Sequence, residues 1–407
     1  MQGKQLTLVI GLLAYSIFSF SQKDEVKPVT SKVKTAKDIK TGADQTEIYI
    51  PLLNGKAIAV VGNQTSVIGK TLLVDSLVAL KINLKKIFFP EHGFRGDAAD
   101  GAVLDNYTDK KTGIKCFSLY GKDNKKPSAE NLKDVDVVIF DLQDVGVRFY
   151  TYISTLHYVM EACAENKKTL IVFDRPNPNG YYVDGPVMED KYKSFVGMHP
   201  VPIVYGMTIG EYAQMINGEG WLANKIKCDL KIISLVNYEH SDYYSLPVNP
   251  SPNLSAMSAI YLYPSLCLFE GTIVSVGRGT DKPFQQFGYP GMPNTKYSFT
   301  PQSIKGVSDN PSYKGEVCNG YNVSEYGEVF MKYNKQLYLF WILNAYKSCP
   351  TKDKFFNDYF LKLAGTDKLK QQIVEGKAEE EIRKSWKEDL LKFKLVRKKY
   401  LLYKDFE

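Results

Sequence analysis

The chain has 407 residues, 44% of them hydrophobic and 24% charged, enough for one large domain or two ordinary ones with no shortage of core. Its formal charge of +7 comes partly from lysines in the two termini, and no basic stripe interleaved with aromatics appears, which argues against a nucleic-acid partner. Aromatics reach 13%, mostly 28 Tyr and 21 Phe, whose flat faces and polar tips suit carbohydrate or peptide surfaces as well as ordinary cores.

Taken in chain order, Lys4 precedes the apolar run "LTLVIGLLAYSIFSF", which ends in "SFSQKDE" with small Ser19 and Ser21 ahead of Gln22. The pattern predicts a secretory signal peptide over residues 1–21, cleaved after Ser21, and hence an exported protein, periplasmic or secreted. The run is short for a bilayer and no stop-transfer pattern follows, so no stable membrane span is expected. No Cys lies near the cleavage point, which disfavours a lipoprotein anchor. Residues 22–45 are Lys-rich and nearly free of large apolar side chains, which predicts a flexible linker.

From there strand-like runs alternate with helical ones. The strands are "KAIAVVG" (Lys56–Gly62), "LKKIFFP" (Leu84–Pro90), "IKCFSLYG" (Ile114–Gly121), "VDVVIFDLQ" (Val135–Gln143), "TLIVFDRP" (Thr169–Pro176) and "CDLKIISL" (Cys228–Leu235). Several are continuous β-rich apolar segments, as strands covered on both faces require. Between them lie the helical patterns "TLLVDSLVALKI", "TYISTLHYVMEACAENKK" and "TIGEYAQMINGEG". Thr151 and Thr208 are candidate N-caps for the last two, and Glu211 stands where a capping box needs it. The alternation predicts an α/β fold around a mostly parallel sheet, spanning residues 46–285. Beyond 285, Gly, Pro and Asn cluster in "QQFGYPGMPNTKYSFTPQ". Long helical patterns follow around Tyr333–Tyr346 and Glu379–Tyr400, so residues 286–407 are expected to form a smaller α+β domain.

Several chemistries find no support. The six cysteines form no C-x-x-C pair, so metal binding through them is not expected, and export would permit a disulfide without choosing its partners. "GNQTSVIGKT" places six residues between Gly62 and Gly69 where a phosphate loop needs four. No G-x-G-x-x-G follows the first strand, no G-x-S-x-G or H-E-x-x-H is present, and "GDAADGAVLD" lacks EF-hand spacing. No cofactor or metal is therefore expected.

In parallel sheets, ligands bind beyond the carboxyl ends of the strands. "LKKIFFP" runs into Glu91, His92 and Arg95. "VDVVIFD" ends in Asp141, followed by Gln143, Asp144, Arg148 and Tyr150. "TLIVFD" ends in Asp174, followed by Arg175 and Asn177. An Asp at a strand end often only caps the next turn, but three such ends on one rim predict a cleft lined by carboxylates, arginines and amides. Such a cleft suits glycoside hydrolysis, in which one carboxylic acid protonates the leaving oxygen and another group supports the oxocarbenium-like centre or activates water. Glu91, on a Gly-flexed loop, is the first candidate for the acid. His92 could tune it, touch substrate, or be satisfied by backbone. Arg95, Arg148 and Arg278 could grip a substrate carboxylate, or could pair structurally with Asp141, Asp144 or Asp174.

"FFPEHGFRGDA", "DVVIFDLQDVGVRFYTYISTL", "FDRPNPNG", "DGPVMED", "SFVGMHPVPIVYGMTIGEYAQMING", "PSPNLSA" and "LYPSLCLFEGTIVSVGRGTDKPF" occur in one order. In that order the chain, from about residue 46 to its end, resembles the NamZ-type exo-β-N-acetylmuramidases. The resemblance implies a Rossmann-like domain, a smaller C-terminal domain and a cleft between them. It also implies release of N-acetylmuramic acid from the non-reducing end of peptidoglycan fragments, with oligosaccharides or muropeptides as partners. On matching positions it puts Glu91 first among the catalytic carboxylates, Glu270 of "LFEGT" second and Asp141 third. His92, Arg95, Gln143, Asp144, Arg148, Tyr150, Asp174, Arg175, Asn177, Asn253 and Arg278 are the remaining site candidates. Competing expectations are a non-catalytic muropeptide-binding protein and a cell-wall amidase or esterase.

Overall fold

The computed structural model describes residues 39–96, 104–121 and 125–407. The expected signal peptide and most of the expected linker lie outside them. Among the described residues no helix is long and apolar enough to cross a membrane.

The central sheet has seven strands. In chain order they are β1 (Ile58–Gly62), β4 (Leu84–Phe89), β5 (Tyr107–Thr108), β6 (Lys115–Ser118), β7 (Val137–Asp141), β8 (Thr169–Phe173) and β9 (Asp229–Ile233). A two-stranded hairpin, β2 (Val67–Ile68) and β3 (Thr71–Leu72), intervenes after β1. The order across the sheet is β5-β6-β4-β1-β7-β8-β9, parallel except for the β5 edge. All six strands read from the sequence are present. The stretch whose spacing fails as a phosphate loop forms the β1–β2 turn and the hairpin.

The continuous apolar runs follow from burial on both faces. Ala59, Val61, Phe88, Val138, Phe140, Leu170 and Val172 point into one core, while Ile58, Val60, Ile87, Phe89, Ile139, Ile171 and Phe173 point into the other. Helices α1 (Thr46–Leu53) and α2 (Leu73–Ala79) cover the second face through Tyr49, Leu53, Leu73, Val74 and Leu77. After α3 (Ala129–Leu132), helices α4 (Tyr152–Glu165) and α5 (Ile209–Gly218) cover the first through Ile153, Leu156, Met160, Tyr212 and Ile216. The chain first builds outward from β1 to β4, β6 and β5, then crosses back to β7, so strand order reverses beside β1. Ligands of open parallel sheets bind at such a reversal.

The same apolar core continues into α6 (Met257–Leu266) and into Phe287, Trp341, Ile382 and Trp386 of the C-terminal portion. That portion carries the antiparallel strands β10 (Gln286–Tyr289), β11 (Tyr297–Phe299) and β12 (Cys318–Asn322), in the order β10-β12-β11, and the helices Phe340–Ser348, Tyr359–Ala364, Lys368–Val374 and Glu379–Arg397.

Local details depart from expectation. Thr208 makes the full capping box with Glu211, but Thr151 adopts a helical backbone and its side chain caps nothing. The pattern at Tyr333–Tyr346 is interrupted. Lys335 is left-handed at φ +52°, and the helix starts only at Phe340. Residues 39–45, expected to belong to the linker, dock on the sheet. Lys40 pairs with Val236, and Gly42 N donates to Asp174 O at 2.9 Å. Backbone pairing, which composition does not register, holds this polar segment. All six cysteines are buried free thiols.

Candidate active site

Past Phe89 the chain turns sharply. His92 and Gly93 both take left-handed backbone, at φ +76° and +79°. For a non-glycine residue this conformation is uncommon and strained. Here it brings Glu91 and His92 together onto the wall of a cavity of about 630 Å³, within the size range of small-molecule sites. The His92 ring is buried, and its Nδ1 has no hydrogen-bond partner.

The loop after β7 supplies Tyr150, and the first residue of α4 supplies Tyr152, to the same wall. Their hydroxyls donate to Pro250 O at 2.8 and 3.3 Å, and Asn63 Nδ2 donates to the Tyr152 oxygen at 2.7 Å. The two tyrosines thereby fix the "PSPNLSA" segment, which carries Asn253. Asn253 Nδ2 donates to Val307 O at 3.2 Å, while its buried Oδ1 accepts nothing. The Tyr152 phenol is pushed up by burial, and the nearby Glu91 carboxylate adds to the push.

The facing wall follows α6. Arg278 Nε donates to Glu270 Oε1 at 2.5 Å, the Arg278 guanidinium lies 5.0 Å from the Phe284 ring centre, and Cys267 Sγ approaches Glu270 Oε2 at 3.5 Å. Glu270 and Arg278 each keep about a fifth of the side chain exposed, at 21% and 22%. Tyr359, on the helix Tyr359–Ala364, completes the lining. Its phenol is pushed up first by desolvation, then by Cys267, Glu270 and Glu91, so one hydroxyl senses both carboxylates.

Of the candidates read from the sequence, the cavity gathers Glu91, His92, Tyr150, Asn253, Glu270 and Arg278. The others are placed elsewhere, and of the three strand ends expected to converge the cavity takes the β4 end and the loop after β7, joined by the Asn253 segment and the turn after α6. Asp141 is fully buried in a bidentate pair with Arg175, at 2.6 and 2.9 Å, and Arg175 also donates to Val67 O. Arg95 is held bidentately by Asp109 at 2.7 and 2.8 Å, and this pairing pulls the Asp109 carboxyl down to about 2. Gln143 donates to Asp144 O and Pro176 O. Asp144 accepts from Gly146 N and from the Tyr205 hydroxyl. Arg148 contacts only backbone carbonyls. Asp174 accepts from Gly210 N, Thr208 and Tyr403, and Asn177 donates to Met207 O and accepts from Asn179 N. Apart from Arg95, whose side chain stays about 30% exposed, these groups tie loops to one another inside the protein. Sequence reasoning missed Cys267, Phe284 and Tyr359 as lining residues. Cys267 and Phe284 lie within the quoted "LYPSLCLFEGTIVSVGRGTDKPF" motif, whereas nothing local marks Tyr359.

The family model described as exo-β-N-acetylmuramidase NamZ, N-terminal, matches residues 58–258, and its C-terminal counterpart matches residues 261–403. The peptidoglycan β-N-acetylmuramidase NamZ of Bacillus subtilis (strain 168) is 39% identical over 397 residues, covering 92% of this chain and 94% of that protein. Two crystal structures of DUF1343 family proteins from Bacteroides fragilis NCTC 9343 superpose on it. BF0379 has a TM-score of 0.84 at 46% identity, and BF0371 has 0.77 at 29%. Each superposition covers 90% of this chain and 99% of the other.

Proposed function

This chain belongs to the exo-β-N-acetylmuramidase NamZ family, and from that premise we infer that it is a glycoside hydrolase of peptidoglycan, releasing N-acetylmuramic acid from the non-reducing end of peptidoglycan fragments. The observation that carries the assignment to a site is the cavity that holds Glu91 on one wall and the Glu270–Arg278 pair on the other.

In this reading Glu91 is the general acid that protonates the leaving oxygen, and Glu270 is the second carboxylate, supporting the positive charge that develops at the anomeric centre. Arg278 pairs with the lactyl carboxylate, the group that distinguishes N-acetylmuramic acid from N-acetylglucosamine. Glu270 and the Phe284 face fix its orientation, which suits a planar guanidinium. Arg95 and Arg148 are committed to Asp109 and to backbone carbonyls, so neither is assigned that role. Asn253 Oδ1 is a buried acceptor lacking a donor. It suits the N–H of the 2-acetamido group, since a buried polar atom left unmatched is costly. His92 Nδ1, equally unmatched, suits a sugar hydroxyl. The acetamido oxygen could itself serve as nucleophile, a known departure from the two-carboxylate scheme, and the assigned residues accommodate both routes.

Export is part of the same inference, supported by the Lys4-led apolar run and the Ser19–Ser21 cleavage pattern. It would place the enzyme where peptidoglycan is.

The deciding assay compares a chromogenic β-N-acetylmuramide with the matching β-N-acetylglucosaminide, for wild type and Glu91→Gln. The expected result is turnover of the muramide by wild type. Turnover of a MurNAc-GlcNAc disaccharide, whose leaving sugar oxygen must be protonated, is expected to be reduced roughly 10²–10⁴-fold in Glu91→Gln, the range for losing a general acid. Unchanged turnover of the disaccharide in the variant would move the acid to Glu270. Binding of muropeptides without turnover in wild type would make the chain a binding protein.

A further inference from the structure

Arg148 and Arg397 are the largest fully buried side chains among the described residues, and Arg397 is paired with Asp405. A guanidinium in that position needs a negative partner, yet among the described residues no carboxylate pairs with Arg148. Its contacts are four backbone carbonyls. Nη1 donates to Pro186 O at 2.9 Å and Val201 O at 2.7 Å, and Nη2 donates to Leu363 O at 2.9 Å and Ala364 O at 2.7 Å. Leu363 and Ala364 are the last residues of the helix Tyr359–Ala364. Their carbonyls have no partner within the helix and sit at the negative end of its dipole, so the cation replaces a carboxylate with a helix C-terminus. Burial pushes the guanidinium down to about 9, leaving it charged at neutral pH.

Both ends of this contact lead to the cavity. Arg148 lies two residues before Tyr150, and its own N–H donates to Ile203 O at 2.8 Å. The helix it caps carries Tyr359 and Leu363 on the cavity wall. That helix and the segment leading into it back the Glu270 turn: Asn357 N donates to Gly271 O at 3.0 Å, Ile273 N donates to Phe355 O at 2.9 Å, and a Cβ on Gly271 would stand 2.3 Å from Phe360 Cα in the helix. At the helix end Gly365 is left-handed at φ +71°, and a Cβ there would come within 2.6 Å of Arg148 Nη2.

We propose that Arg148 is a positioning residue for the glycosidase reaction. By capping the helix Tyr359–Ala364 it fixes the wall bearing Glu270, Arg278 and Tyr359 against the wall bearing Glu91 and Tyr150. The proposal rests on the assignment of catalysis to this cavity. A rigid fork with four acceptors sets that spacing, and a lysine, with one nitrogen, cannot hold both carbonyl pairs.

Two variants of the full chain test it, Arg148→Lys and Gly365→Ala, the second pressing on the same contact from the helix side. On the chromogenic muramide, kcat is expected to fall about 10–100-fold with KM within about threefold of wild type, since a displacement near 1 Å costs rate on this scale. Hydrogen exchange, which needs no turnover, is expected to rise in segments 268–278 and 355–366. Should Arg148→Lys not fold, Gly365→Ala decides the question alone. Folded variants with wild-type kcat and wild-type exchange in those segments overturn the proposal. So does uniform loss of protection across the chain, because Arg148 would then hold the fold and not the cavity. Failure of wild type to turn over the muramide bears on the assigned function, while the exchange pattern still reports on Arg148.

Discussion

Arg175 closes a bidentate ion pair on Asp141 at the end of β7, with Nε and Nη2 at 2.6 and 2.9 Å from the two carboxylate oxygens and neither side chain exposed. The carboxylate is saturated and lies outside the cavity. Sequence position alone makes Asp141 a candidate for catalysis, and the pair instead makes it a strut between the ends of β7 and β8. Removing one partner of a buried pair leaves an uncompensated charge, at a cost of about 3–5 kcal/mol. Asp141→Ala is therefore expected to lower unfolding free energy by that amount in urea titrations, while the folded fraction keeps its kcat. A large loss of kcat in stably folded protein would return Asp141 to the chemistry.

Selectivity for the lactyl carboxylate is expected to depend on Arg278. Arg278→Ala should lower kcat/KM for the muramide roughly 100-fold or more, as a lost charge-assisted contact worth a few kcal/mol implies. The glucosaminide, without the carboxylate, should change much less. Equal losses on both substrates would show that Arg278 serves the scaffold.

The orphaned Asn253 Oδ1 predicts discrimination of another kind. Asn253→Gln keeps an amide that can both accept from substrate and donate to Val307 O and is expected to retain more binding, whereas Asn253→Leu should raise KM about 10-fold or more, the scale of an unmet buried hydrogen bond. Comparing the two variants on the same muramide checks it, and equal KM values would remove Asn253 from substrate recognition.

Stability should fall between acid and neutral pH through Asp144 and Asp174. Burial pushes both carboxyls up to about 7, well above the roughly 3.9 of an unfolded chain. The folded state then binds more protons than the unfolded one, so this contribution is complete below about pH 4 and is lost as pH rises to about 7. Asp109, pulled down to about 2 by Arg95, acts oppositely, and its contribution is lost as pH falls below about 4. Asp144→Asn mimics the neutral acid. Urea titrations at about pH 5 and pH 8 should differ less in this variant than in wild type, and an unchanged difference would show that Asp144 ionises in the folded protein as it does in water.

Cleavage after Ser21 should leave Gln22 as the first residue of the exported protein. Intact-mass measurement on the periplasmic or secreted fraction reads this directly, and a full-length chain retained in the cytoplasm would overturn it.

What the amino-acid pattern determined was local and periodic. The apolar runs at Ile58–Gly62, Val137–Asp141 and Thr169–Phe173 read as strands covered on both faces, and they are so because successive side chains alternate between two apolar cores. The Thr208–Glu211 box was equally legible, since its partners lie three residues apart. The sequence also placed Glu91, His92 and Arg278 among the candidates by their motifs.

Strand-end position alone did not tell Glu91 from Asp141 and Asp174, which stand at or just past the ends of three strands of one sheet with the same signal. Only the tertiary structure did so, because the fate of a strand-end carboxylate depends on what reaches it from elsewhere. Asp141 meets Arg175, and Asp174 meets Thr208 and Tyr403, whereas Glu91, followed by two left-handed residues, lines the cavity. Tyr359 arrives at the same cavity from a helix far along the chain. Hydrogen bonds and ion pairs act over a few ångströms of space, and sequence distance carries no record of them.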